Sequence, residues 1–196
     1  MSDDPYLYPD SDVLRNRPGI RDPAQLEVLE RRLVVQRLRE GAPTGHFDLA
    51  HLRAIHHHLF QDIYEWAGQI RRVEIAKNGN QFQFRRFIET GMADVHRRLE
   101  AADFLRGLSR QDFAAAAGHI LGDVNYVHPF REGNGRVQAE YLRQLGAQAG
   151  NPIDLTQIDG ERWMAASRAA HGGDYSLLAA EIPRAIRSDP ADPDPR

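Results

Sequence analysis

The chain has 196 residues, a formal net charge of −3, 41% hydrophobic residues and no cysteine. This length fits one domain with a filled core, and no apolar run approaches the roughly 20 residues that a membrane helix needs. The weak negative charge argues against direct nucleic-acid binding, and the absence of cysteine excludes a disulfide framework. The acidic N-terminus lacks the basic and apolar regions of a secretory signal, so we expect a cytoplasmic protein without membrane contact.

Helical periodicity extends over most of the chain and predicts an all-α fold. The first helix is predicted to begin at Pro23, after a capping Asp22, and to stop at Gly41. Its apolar stripe consists of Leu26, Leu29, Leu33 and Leu38. The second helix is predicted from Asp48 to Gly68. Its predicted buried face consists of Leu49, Leu52, Ile55, Leu59, Ile63 and Trp66, of which the last five follow the three-and-four spacing of one helical face.

After Gly68 the pattern changes to an alternation of apolar and polar residues around Asn78-Gly79, which predicts a small β-hairpin. Further helices are predicted over residues 86–105, 110–127, 135–149, 159–171 and 174–187. Residues 188–196 combine aspartate and proline at close spacing and are predicted to be a disordered acidic tail. We therefore expect a single domain over residues 1–187, with residues 1–20 as an N-terminal extension.

A glycine-rich turn is predicted at the start of the helix over 135–149, within the nine residues HPFREGNGR at 128–136. A helix N-terminus presents unpaired backbone N–H groups and the positive end of the helix dipole. Gly133, Asn134 and Gly135 would let an anion approach this backbone closely, so they predict a phosphate-binding site. Arg136, in the first turn, suits a phosphate oxygen.

The same stretch contains a carboxylate and a proton acceptor. Glu132 offers the oxygen ligands that Mg²⁺ prefers, and His128 accepts a proton near neutral pH. Together with the glycine turn, they predict phosphoryl or nucleotidyl transfer. Each residue alone also has a structural interpretation: His128 as a loop residue, the glycines as a helix-starting turn, and Glu132 with Arg136 as a surface ion pair. The occurrence of all these residues within one nine-residue stretch favours the catalytic interpretation over the structural one.

These nine residues resemble the signature of the Fic family, H-x-F-x-[D/E]-G-N-G-R-x-x-R, at nine consecutive positions. Residues 52–71 are similar to the first core helix of the family, and residues 73–84 correspond to its flap hairpin. Residues 4–20 resemble the N-terminal segment of small bacterial Fic toxins. The resemblance implies an all-α, Fic-type helical domain with a small β-hairpin flap.

The family resemblance also implies an activity, which is transfer of AMP from ATP to a Ser, Thr or Tyr hydroxyl of a target protein. His128 would be the general base, and Glu132 would hold Mg²⁺. Asn134 and its flanking glycines would cradle the α- and β-phosphates, and Arg136 would grip the leaving pyrophosphate. Phe130 would anchor the loop in the core.

The flap would dock an extended target segment by main-chain pairing over Val73 to Phe84. The docking residues are Val73, Glu74, Ile75, Ala76, Lys77, Asn78, Gly79, Asn80, Gln81 and Phe82. An ordinary hairpin is the alternative interpretation. A phosphorylating relative carries lysine at the second glycine, so Gly135 favours AMP transfer.

One position departs from the family signature, because Ala139 stands where the second arginine is expected. In the family that arginine orients the terminal phosphates and pairs with an inhibitory glutamate. Arg143 lies one turn further along the same face and is predicted to reach back as a substitute phosphate ligand. Three outcomes stay open: weak AMP transfer, a different nucleotide donor, or a catalytically silenced fold that binds nucleotide or protein.

Partners follow only from the resemblance. The inhibitory pattern [S/T]-x-x-x-E-[G/N] is not evident, and its nearest approach runs from Gln36 to Gly41. We therefore expect a separate small antitoxin, and in small Fic toxins the targets are type II topoisomerase subunits. The three adjacent histidines His56, His57 and His58 point in different directions on a helix, so surface exposure and core packing are favoured over a metal site.

Overall fold

The computed structural model describes residues 4–77 and 79–187, so the predicted tail at 188–196 and the flap residue Asn78 lie outside the described residues. The chain divides into two compact units. The first comprises Met1–Met92 with Val127–Val137, and the second comprises Ala93–Tyr126 with Gln138–Arg196. A single domain over residues 1–187 stays a prediction.

The described residues form seven α-helices and one two-stranded antiparallel sheet. The helices are α1 Pro23–Glu40, α2 Leu49–Phe60, α3 Ile88–Ala101, α4 Arg110–Val127, α5 Asn134–Ala149, α6 Gly160–His171 and α7 Ser176–Ala185. The strands are β1 Ala76–Lys77 and β2 Asn80–Gln81. The prediction of an all-α fold with a small hairpin is confirmed. Across the described part of the chain, every helix is too short or too polar to cross a membrane.

Helix α1, in the first unit, begins as its sequence predicts. The carboxylate of Asp22 accepts the Gln25 N–H at 2.9 Å, and Pro23 occupies the first turn. The predicted stripe of leucines is only partly correct, because Leu29, Leu33 and Leu38 are half-buried. The buried residues of this helix are Leu26, Glu30 and Val34. The buried face is thus centred on Glu30, whose carboxylate is bonded to Tyr64 and Arg136.

Helix α2 ends earlier than predicted. It stops at Phe60, and residues 61–68 continue as consecutive turns up to Gly68, whose φ is +80°. Ile63 and Trp66 are nevertheless buried, at 0% and 8% exposure, so the apolar spacing predicted burial correctly and conformation wrongly. The chain turns here because the Gly68 N–H donates to Nδ1 of the buried His56 at 2.8 Å.

The predicted hairpin is present and very short. Ala76 pairs with Gln81 and Lys77 with Asn80, and all four residues are exposed. One further backbone hydrogen bond, from the Phe82 N–H to the Ile75 carbonyl at 3.2 Å, extends the pairing away from the turn of the hairpin. Phe82 itself is buried, with 8% exposure.

The second unit contains most of α3, α4 and α5, together with α6 and α7. Helix α3 was predicted to reach residue 105 but ends at Ala101. Asp103, Phe104 and Leu105 have φ values of 46°, 51° and 62°, so their backbone is left-handed and cannot continue the helix. The core of this unit is mostly apolar. It includes Leu99, Phe113, Ala117, Leu121, Val124, Tyr141, Leu142, Leu145, Leu178 and Ile182.

Candidate active site

The loop between α4 and α5 contains the predicted motif, and two residues hold its backbone. Phe130 is fully buried. The Asn134 side chain accepts the Phe130 N–H at 3.0 Å and donates to the Phe130 carbonyl at 2.8 Å. The amide of Asn134 is thus occupied in closing the loop. Only its backbone N–H, in the first turn of α5, is placed to contribute to a phosphate cradle.

The glycines of the turn have different surroundings. Gly133 has a φ of +84°, and a Cβ added to it would lie 2.4 Å from the buried Phe60 ring. A side chain is therefore excluded on both conformational and steric grounds. At Gly135, by contrast, the described residues leave open space, with nothing within 4 Å of an added Cβ. A ligand can therefore approach the backbone at Gly135.

Arg136 contacts two carboxylates and an aromatic ring. Its guanidinium binds Glu30 of α1 through Nη1 and Glu132 through Nη2, the latter at 3.2 Å. The group also lies 4.9 Å from the centre of the Phe60 ring. The Arg136 side chain is 35% exposed, so it is only partly shielded from solvent. An arriving phosphate would meet an arginine that is already neutralised.

Glu30 connects the arginine to the interior of the first unit. Its side chain is only 10% exposed and accepts hydrogen bonds from Arg136 and from the Tyr64 hydroxyl. Burial and the neighbouring Glu30 carboxylate raise the pKa of Tyr64, so this phenol remains a donor. Tyr64 stacks in turn on Trp66, with ring centres 4.3 Å apart. Glu30 is thereby held in place by a rigid aromatic group.

Glu132, the predicted Mg²⁺ ligand, is 46% exposed, and its Oε1 accepts the Gly133 N–H at 2.8 Å. In the described residues there is no cluster of three metal-binding side chains. A metal here would therefore depend on one carboxylate, substrate phosphates and water. That ligand set is the usual one for Mg²⁺, so the residues present fit this ion.

His128 is held from two sides. Its backbone has a φ of +46°, and its carbonyl accepts the Arg71 Nε–H at 2.8 Å. The imidazole stacks on Phe82 at the base of the flap, with ring centres 3.7 Å apart and planes inclined by 18°. The flap and the predicted base are therefore in direct contact.

His56 stabilises the loop that contains the motif. It is fully buried, and its Nδ1 accepts the Gly68 N–H, so its Nε2–H donates to the Glu132 carbonyl at 3.0 Å. Its ring stacks on Phe130, with centres 4.0 Å apart. Burial lowers the pKa of His56 to about 4. This histidine is a neutral structural element of the loop.

Arg143, the predicted substitute for the missing arginine, has a partner in its own unit. It forms a bidentate ion pair with Glu140, with both N–O distances at 2.7 Å. The Glu140 side chain is 3% exposed and also accepts from Gln144 at 2.8 Å. A role for Arg143 in phosphate binding stays a prediction, and Glu140 would compete with the phosphate for it.

Sequence reasoning did not find several residues of this site. They are Glu30, His56, Phe60, Tyr64 and Arg71. One of them left a signal in the sequence, since Glu30 falls four residues after Leu26 and four before Val34, in the middle of an apolar face. The others look like ordinary members of helical or turn segments.

A glycine-lined turn at a helix N-terminus, with an arginine in its first turn and a neighbouring histidine, is the arrangement expected of a helical domain that handles nucleotide phosphates. The sequence pattern of the Fic/DOC family matches residues 46–145. The chain belongs to this family, and the resemblance of its motif is confirmed.

Two relatives and one solved structure illustrate the similarity. A probable protein adenylyltransferase, y4lH of Sinorhizobium fredii, is 42% identical over 185 residues, covering 94% of this chain and 96% of the relative. The protein adenylyltransferase VbhT of Bartonella schoenbuchensis is 39% identical, and the match covers 93% of this chain and 39% of VbhT. The BepC protein of Bartonella tribocorum, crystallised with bound AMPPNP, superimposes with a TM-score of 0.87 at 28% identity, over 94% of this chain and 97% of the other.

Proposed function

We propose that this protein is an adenylyltransferase that transfers AMP from ATP to a Ser, Thr or Tyr hydroxyl of a target protein. The observation that carries the proposal is the arrangement of the motif loop. The backbone N–H groups that begin α5 lie beside Arg136, and His128 stacks on the flap that would present the target. The relatives named as protein adenylyltransferases and the nucleotide analogue bound to BepC support it.

In the proposed reaction His128 accepts the proton of the target hydroxyl. The hydroxyl oxygen forms a bond to the α-phosphorus, and the bond from that phosphorus to the oxygen bridging to the β-phosphate breaks. Pyrophosphate leaves, and the backbone N–H groups of Asn134 and Gly135 stabilise its charge together with the guanidinium of Arg136, while the Gly133 N–H is held by the Glu132 carboxylate. Mg²⁺ held by Glu132 would supply further charge neutralisation of the phosphates. The open space at Gly135 supports AMP transfer over phosphorylation.

The wider setting of the activity is inferred from the family alone. We place the protein in the cytoplasm, as a toxin controlled by a separate small antitoxin. The proposed target is a type II topoisomerase subunit, approached through protein contacts at the flap and without direct nucleic-acid binding.

A second candidate function rests on Ala139. Without the second arginine of the motif, the protein would bind nucleotide and a partner protein but transfer little AMP, or it would use another nucleotide donor. The ion pair between Arg143 and Glu140 favours this alternative, because it engages the arginine predicted from the sequence to replace the missing one.

These two functions are separated by a labelling experiment. The purified protein, alone and with a bacterial lysate, is incubated with Mg²⁺ and ATP labelled on the α-phosphate, beside His128→Ala and Ala139→Arg variants. We expect protein-bound label that falls by at least about 10²-fold in His128→Ala, and a higher rate in Ala139→Arg. Label from Ala139→Arg alone would establish the silenced alternative, and Arg143→Ala tests the substitute arginine separately.

A further inference from the structure

One buried cation of the first unit forms hydrogen bonds well beyond its contact with His128. Arg71 follows the turns after α2, and its side chain is fully buried. A guanidinium has five N–H donors, and each needs an acceptor when water is excluded. The five acceptors of Arg71 are the carbonyl oxygens of Val73, Gln83, Val127 and His128 and the carboxylate of Glu74.

These acceptors belong to two segments that are far apart in the sequence. Val73 and Gln83 lie near the two ends of the flap segment 73–84, and the bond from Arg71 Nη1 to the Val73 carbonyl is 2.8 Å. Glu74 also connects the two ends of the hairpin, because its carboxylate accepts the Arg85 backbone N–H at 3.0 Å. Arg71 thus fixes both ends of the hairpin.

The remaining acceptors are two backbone carbonyls, those of Val127, the last residue of α4, and of His128, the predicted general base. Arg71 Nε donates to the His128 carbonyl at 2.8 Å, and its backbone N–H donates to the Pro129 carbonyl at 2.9 Å. His128 has a left-handed backbone, which an ordinary residue adopts only when its surroundings impose it. The contacts from Arg71 are part of what imposes this conformation.

Resting on the proposed function, we propose that Arg71 is a positioning residue that fixes the flap and His128 relative to each other. The target hydroxyl would be presented by the flap, and its proton would be accepted by the imidazole. A single side chain bonded to both segments sets the distance between them. Phe82 completes the coupling, since it lies on the flap and stacks on the His128 ring.

Lysine cannot replace this arginine, although it keeps the positive charge. A lysine has three donors on one nitrogen and no planar fork, so it cannot reach acceptors on both sides at once. Burial lowers the pKa of Arg71, and the Glu74 carboxylate beside it acts in the opposite direction. A guanidinium remains charged through such a shift.

The test compares Arg71→Lys with Arg72→Lys, a matched change at the neighbouring exposed arginine. We expect Arg71→Lys to lower the rate of AMP labelling by about 10²-fold, the order of loss that a 1 Å misplacement causes. The dissociation constant for a non-hydrolysable ATP analogue is expected to change less than twofold. Arg72→Lys is expected to preserve both quantities.

Hydrogen exchange provides a readout that does not depend on activity. In Arg71→Lys the amides of Phe82 in the flap and Phe130 in the loop are expected to exchange at least tenfold faster, while amides of α2 keep their protection. A labelling rate within threefold of the natural protein would overturn the proposal. So would a loss of α2 protection or of nucleotide affinity in parallel with the labelling rate, because that pattern indicates general unfolding.

The exchange result also separates this inference from the proposed function. If the natural protein incorporates no label, the proposed transfer fails, and exchange alone decides the role of Arg71. Joint acceleration at Phe82 and Phe130 then supports the coupling of the two segments, and unchanged exchange at either amide refutes it.

Discussion

At the scale of single residues, the main feature is that one arginine is both a predicted phosphate ligand and the ion-pair partner of a largely buried carboxylate. Arg136 is the predicted ligand of the leaving pyrophosphate, yet its guanidinium is bound by the largely buried Glu30. An incoming phosphate must compete with that carboxylate for the same N–H donors. We therefore expect Glu30 to limit the affinity of the proposed nucleotide site.

Replacing Glu30 by Gln should raise the affinity for ATP by about three- to tenfold, because the arginine loses its competing anion while Tyr64 keeps an acceptor. The dissociation constant is measured by titration calorimetry with a non-hydrolysable ATP analogue. Glu27→Gln is the control on the same helix, since Glu27 is 69% exposed and pairs only with Arg31 among the described contacts. Equal or weaker nucleotide binding in Glu30→Gln would show that Glu30 orients the arginine instead of competing for it.

At the scale of elements, helix α5 is framed by two glycines with the same backbone conformation. Gly133 precedes the helix and Gly150 follows it, and both have a φ of +84°. Their surroundings differ, because an added Cβ at Gly150 meets nothing within 4 Å among the described residues, whereas at Gly133 it meets the Phe60 ring. The two positions therefore separate backbone strain from steric exclusion.

Gly150→Ala is expected to lower the free energy of unfolding by about 1 kcal/mol, the cost of a left-handed alanine. Gly133→Ala should cost roughly 1–3 kcal/mol more, because Phe60 is buried and cannot move aside easily. Urea unfolding of both variants measures the difference. Gly133→Ala should also weaken binding of the ATP analogue. Equal destabilisation by the two substitutions would contradict the steric role assigned to Phe60.

At the scale of the whole molecule, the stability of the chain should depend on pH through His56. Its pKa is lowered from 6.5 to about 4 by burial, so the unfolded chain binds this proton more readily than the folded one. The stabilising contribution is complete above pH 6.5 and is lost progressively as the pH falls toward 4. The full difference corresponds to about 3 kcal/mol.

The free energy of unfolding in urea, measured at pH 7 and at pH 4.5, tests this dependence. The decrease between the two values should be smaller in His56→Gln, which has no imidazole at this buried position, and unchanged in a His46→Gln control at an exposed position. The same pH dependence in the natural protein and in His56→Gln would mean that ionisable groups other than His56 account for it.

Local sequence patterns predicted the helix start at the motif and the burial of apolar residues, but they did not predict every backbone conformation. The motif is contiguous, so Gly133, Asn134 and Arg136 could be assigned to a helix start from spacing alone. Apolar periodicity predicted the burial of Ile63 and Trp66 but placed them in a helix. Periodicity records which residues avoid water, and it does not record a turn that a buried histidine stabilises.

Contacts between residues that are far apart in the chain could not be predicted from local sequence patterns. Glu30 lies 106 positions before Arg136, and Arg71 lies 57 positions before His128. No local spacing relates such residues, and a charged side chain in a helix or turn is usually solvated. Their burial becomes understandable only when the partner that satisfies each charge is seen.

The central claim, transfer of AMP with His128 as the base, is tested most directly by comparing two positions of the label. The protein and a bacterial lysate are incubated with Mg²⁺ and ATP labelled on either the α- or the γ-phosphate, beside His128→Ala. Our account predicts protein-bound label from α-labelled ATP only, and its loss in the His128 variant. Label from γ-labelled ATP, or α-label that persists without His128, would contradict it.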